Sequence, residues 1–139
     1  MHPINCKMSV SDVYKLLFDS EAEAGFLGAV IRDNSILTEL ETIQPEHFFS
    51  DGHSRVYALM RAIAGSGHVA DVKALTKGLG TNHETYLTKL LVRAPQDNEQ
   101  ALSNAALIRE LATSREMLET VVAAAKEQSW RRSEDQIPF

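Results

Sequence analysis

The chain has one cysteine, Cys6, among its 139 residues. No disulfide can close within it, which suits a reducing compartment. Beyond Lys7, no neighbouring cation or base marks the thiol as reactive. Long apolar runs are also missing. The longest, GFLGAVI, falls far short of the ~20 residues that span a bilayer, and MHPINCKMSV lacks the apolar core of a signal peptide. A soluble cytoplasmic protein is expected, with no membrane partner. Excess positive charge is absent as well. A net charge of −5 argues against a duplex-binding surface, because phosphate contacts draw on clustered Lys and Arg.

Catalytic patterns are missing too. There is no G-x-x-x-x-G-K-[ST] phosphate loop, and the two glycines of KGLGT read as a helix stop. The histidines His2, His47, His53, His68 and His83 form neither an H-E-x-x-H motif nor a Cys/His cluster. His47 follows Glu46 and precedes two phenylalanines, a setting for a hydrogen bond at the edge of a core. No nucleophile elbow occurs. A non-enzyme is expected, with no catalytic residue, cofactor or metal.

What the sequence contains is helix. SEAE, with Ser20 and Glu23, has the spacing of a capping box and opens a helix carrying Phe26, Leu27, Val30 and Ile31 over a wide apolar face. Ile36, Leu37, Leu40 and Ile43 continue at helical spacing to Pro45. PEHFF reads as a turn that plugs Phe48 and Phe49 into the core. Asp51 can cap a helix with Val56, Tyr57, Met60 and Ile63, ended by GSG. Asp71 can cap a short helix with Val72, Leu75 and Leu79. Thr81 to Glu84 repeats the capping-box spacing ahead of Tyr86, Leu87, Leu90 and Leu91. A short strand around 68–70 is the one exception to an all-α reading.

From Asn98 to Ser129 there is neither Gly nor Pro. Ala101, Ile108, Leu111, Leu118, Val122 and Ala125 fall on one stripe, shared with Asn104 and Arg115. About 30 helical residues span roughly 45 Å, more than a head of this size needs. The stripe predicts pairing between chains, a homodimer through Ala101, Ile108, Leu111, Leu118 and Val122. The alternatives are a helix folded across its own head, or a bend at Ala112–Ser114 that makes an αα-hairpin. The expected division is an N-terminal segment (1–19), a helical head (20–95), a helical arm (96–129) and a flexible tail (130–139). The expected fold class is all-α, a compact multi-helix head followed by a long helix or helical hairpin.

Five stretches then carry a resemblance, in order: EAEAGFLGAVIRDNSIL, IQPEHFFSDGHSRVYALMRAI, GHVADVKALTKGL, YLTKLLVRAP and NEQALSNAALIRELATSREML. Together they resemble the N-terminal domain of the DnaB-type bacterial replicative helicase, over about Glu21 to Val122. The resemblance implies an all-helical head and a helical arm that form a collar, self-associate and dock primase and loader proteins without ATPase activity. The helicase family continues into a RecA-like motor, and this sequence stops.

The ending, SEDQIPF, is similar to the acidic tail of bacterial single-stranded-DNA-binding protein. Glu134 and Asp135 stand for its acids, Gln136 interrupts them, and Ile137, Pro138 and Phe139 match. Pro138 restricts the backbone and so lowers the entropy lost on binding. Phe139 can fill an apolar pocket, worth about 1.5–3 kcal/mol if fully buried. The terminal carboxylate suits an arginine. The resulting expectation is a stand-alone replication accessory protein of a phage or plasmid. Its head would engage a replicative helicase, or its primase or loader, and act as recruiter, loader or inhibitor. Its tail would engage proteins that bind single-strand-binding-protein tails. One alternative is an excised helicase collar domain. Another is a direct single-stranded DNA binder using Trp130, Arg131 and Arg132, although weak or indirect contact with nucleic acid is expected.

Overall fold

Every residue of one helix from Ala22 to Ile31 is buried, and the rest of the molecule is arranged around it. The computed structural model describes the backbone of residues 9–135 and the side chains of residues 9–128. In chain order the helices are α1 (Val10–Lys15), α2 (Ser20–Arg32), α3 (Ser35–Glu39), α4 (Asp51–Gly65), α5 (Val72–Leu79), α6 (Glu84–Val92) and α7 (Asn98–Asp135). Single 3₁₀ turns at Pro45–His47 and Thr81–His83 precede α4 and α6. The described residues contain no strand, so the all-α expectation holds. No described helix is long and apolar enough to cross a membrane.

α2 is apolar nearly all round because α4, α6 and α7 all pack on it. Phe26, Leu27 and Val30 are fully enclosed among Ile36, Ile43, Tyr57, Met60, Leu75, Leu87 and Ile108. Phe26, Phe48 and Tyr57 meet as tilted rings 5.0–6.1 Å apart. Gly28 lets α2 and α6 touch backbone to backbone: a Cβ there would lie 1.9 Å from the Leu90 carbonyl oxygen.

Several local expectations are corrected. Asp19, not Ser20, caps α2, its carboxylate accepting from the Ala22 amide at 3.0 Å. Ser50, not Asp51, caps α4. Thr81 and Glu84 form no capping box, because residues 81–83 are a 3₁₀ turn without a side-chain cap. Asp71 does cap α5, accepting from Ala74 at 2.8 Å. The region around Ala70 is not a strand. Its backbone is paired instead by the side-chain amide of Asn34, which accepts from the Ala70 amide at 2.7 Å and donates to its carbonyl at 3.2 Å. Phe48 is buried, but Phe49 is 40% exposed and stacks on Phe18 at 4.0 Å.

α7 is one uninterrupted helix through Ala112–Ser114, so no αα-hairpin forms there. Its first half does not leave the head. Ala101, Ala105, Ile108 and Ala112 are buried there, so the core runs past the division expected at 95–96. The helix also continues to Asp135, six residues beyond the end expected at Ser129.

Candidate interaction surfaces

A buried carboxylate organises the join between α2 and α4. Glu23 is 2% exposed. Its oxygens accept from the Phe49 amide at 2.7 Å, the Ser50 amide at 3.3 Å and the His53 Nδ1 at 2.8 Å. A buried charge is tolerated only when it is paired and hydrogen-bonded, and these three donors meet that need. The carboxylate also lies at the N-terminus of α4, where a negative charge opposes the helix dipole. The sequence reading spent Glu23 on a cap at Ser20 and missed this role. The available signal was its position on the same helical face as Phe26, Leu27 and Val30.

Arg115, on the apolar stripe, is 7% exposed. Its two terminal nitrogens donate to the Leu17 carbonyl at 2.6 Å and the His47 carbonyl at 2.8 Å, and its guanidinium lies 5.5 Å from the centre of the Phe49 ring. It therefore ties the α1–α2 connection and the PEH turn to the arm. His47 accepts the Gln44 amide through Nδ1 at 2.9 Å. Burial pushes its imidazole below the ordinary value.

The residues expected to drive self-association separate into two groups. Ala101 and Ile108 are enclosed in the chain's own core, and Leu111 is half-buried. The first part of the stripe is therefore covered by the head, the alternative left open above. Beyond Arg115 the situation changes. Leu118 and Val122 line a cleft of about 240 Å³ with Val10 and Tyr14 of α1. The Tyr14 hydroxyl donates to the Glu119 carboxylate, and that bond raises the phenol above its usual value. Beside the cleft, Met117 and Val121 are 65% and 64% exposed. Among the described residues, the exposed large apolar side chains of the arm, Met117 and Val121, lie beyond Arg115.

Of the tail, Glu134 and Asp135 close the α7 backbone. Their side chains, those of Trp130, Arg131 and Arg132, and the whole of Ile137, Pro138 and Phe139 lie outside the described residues. No group of three or more His, Cys, Asp or Glu able to hold a metal occurs among the described residues.

A model of the DnaB-like helicase N-terminal domain family matches residues 15–110, from the last residue of α1 into α7. No curated protein matches the chain. Among solved structures, the chain is similar to the N-terminal domain of DnaB helicase from Mycobacterium tuberculosis. The TM-score is 0.72 at 23% identity, over 78% of this chain and 84% of that one. At that identity the likeness establishes a shared fold.

Proposed function

Because this chain belongs to the DnaB-like helicase N-terminal domain family, we propose that it serves DNA replication as a non-enzymatic interaction module. It engages a replicative helicase, or that helicase's primase or loader, and so recruits, loads or inhibits the helicase. The observation that carries this reading is the family match through the whole head. Two features support it. The exposed Met117 and Val121, with the half-buried Leu118 and Val122 beside them, suit pairing of arms into a homodimer or a mixed assembly. The ending Ile137, Pro138, Phe139 has the chemistry of a docking peptide for proteins that bind single-strand-binding-protein tails.

A collar-domain reading is favoured by the coverage of an isolated helicase N-terminal domain over 84% of its length. In that reading the same surfaces serve oligomerisation and primase docking within a helicase. Direct single-stranded DNA binding through 130–132 is the third reading.

Sedimentation of the purified chain with a replicative helicase and with its primase tests the proposal. Co-migration with either is expected, and deletion of Phe139 should leave that contact intact. The same deletion should weaken binding to single-strand-binding-tail receptors at least tenfold, about 1.4 kcal/mol. Absence of any complex, with oligothymidylate bound instead, overturns the proposal in favour of the third reading.

A further inference from the structure

α1 rests on the distal arm without entering the core. None of its residues is buried. Val10 and Tyr14, one helical turn apart, form one wall of the cleft of about 240 Å³ whose other wall is Leu118, Val122 and Ala123. A side-chain hydrogen bond crosses the cleft, from the Tyr14 hydroxyl to the Glu119 carboxylate, and it is exposed to solvent. The capping box of Ser9 and Asp12 and the turn from the Val13 amide to the Ser9 carbonyl are local. A helix of six residues does not hold itself together in water. The surface beneath α1 therefore keeps it folded.

The C-terminal side of α1 is fixed more firmly. The Leu17 carbonyl accepts from Arg115 at 2.6 Å, and Phe18 stacks on Phe49 with ring planes 7° apart. Arg115 is buried and also holds the His47 carbonyl, so this joint belongs to the head. Leu16, the C-cap between helix and joint, is 66% exposed. Rotation there disturbs no core contact.

α1 lies over part of the apolar stripe of the arm. With α1 in place, Leu118 and Val122 are half-buried, while Met117 and Val121 beside them are exposed. We propose that α1 is a detachable strap, pinned at Leu17 and Phe18, that shields Leu118 and Val122 and so weakens the pairing of arms. The effect on pairing rests on the arm-pairing reading above. The strap itself does not.

Val13→Pro opens the strap without altering the walls of the cleft. It removes the amide that donates to the Ser9 carbonyl at 3.1 Å, its ring clashes with that carbonyl, and Val13 does not line the cleft. The probe is Val122→Cys in a Cys6→Ser background, which leaves no other thiol. Its rate of maleimide labelling is read beside that of Val121→Cys. Val13→Pro should speed labelling at Val122→Cys roughly tenfold or more, since a closed strap leaves an open population of at most ~10%. The rate at Val121→Cys and the urea midpoint of the head should not change. Tyr14→Phe keeps the ring over the cleft and loses the bond to Glu119, so it should speed labelling by a smaller factor. Equal rates with and without Val13→Pro overturn the proposal. So does a head that unfolds at markedly lower urea in Val13→Pro, because α1 would then be part of the core structure. Light scattering reads the effect on pairing separately. Val13→Pro should dimerise at lower protein concentration than wild type, and equal dimerisation overturns the proposal. Both proteins monomeric at high concentration, with the labelling difference intact, would support the strap and contradict arm pairing instead.

Discussion

Two glycines of α2, three residues apart, do different work. A methyl group on Gly28 would meet the Leu90 carbonyl oxygen at 1.9 Å, a backbone atom that cannot turn aside. A methyl group on Gly25 would meet the Asn104 amide nitrogen at 3.2 Å, the end of a side chain that can rotate. Gly28→Ala must therefore push α2 and α6 apart and should cost about 3 kcal/mol. Gly25→Ala should be near neutral, because alanine recovers up to about 1 kcal/mol of helix propensity. Urea unfolding checks both, and equal midpoints would contradict the close crossing. Glu23→Ala should cost about 2–4 kcal/mol, since it strands two amides and a buried imidazole. A loss below about 0.5 kcal/mol, the usual limit for a plain surface change, would show that Glu23 does not hold α4.

At the scale of elements, the helices were legible and their ends were not. Apolar spacing placed α2, α4, α5, α6 and α7, because a wide or narrow stripe is a property of the segment itself. Caps failed where two capable residues adjoin: Asp19 beside Ser20, and Ser50 beside Asp51. Which one lies at the first turn depends on how the connection enters the core. Glu23 failed for a different reason, as its acceptor roles join residues 26–30 positions away. α3 stops after Glu39 although its apolar pattern continues, because Leu40 leaves helical geometry to bring Ile43 into the core. The 3₁₀ turn at Pro45–His47 is the pH-sensitive element. His47 is held below the ordinary imidazole value of 6.5, first by burial, with Glu46 opposing and Arg109 adding to the shift. The unfolded chain therefore takes up the proton at a higher pH than the folded one. Stability is complete above the ordinary value and declines as pH falls through it. Protonation also ends Nδ1 acceptance from Gln44. His47→Gln should flatten the stability slope between about pH 7.5 and 5.5. An unchanged slope would assign that dependence to other groups.

At the scale of the whole molecule, one stripe divides into a covered and a less covered part. A stripe on a sequence does not say whether its own head or a second chain covers it. Here the head encloses Ala101 and Ile108, while Leu118 and Val122 are half-buried in a cleft beside α1. Ile108→Asp should unfold the head, because it puts a charge into the core at a cost of several kcal/mol. Leu118→Asp/Val122→Asp should instead keep its helical circular dichroism and convert a dimer to a monomer in light scattering. A wild type already monomeric at high concentration would contradict arm pairing. The central claim, engagement of a replicative helicase, is tested most directly by titrating the chain into a reconstituted reaction of that helicase, its loader and its primase. The reaction is followed by unwinding and primer synthesis. A saturable change in either rate, weakened by Leu118→Asp/Val122→Asp, is the result the account predicts. Rates that stay constant over a wide molar excess of the folded protein would contradict it.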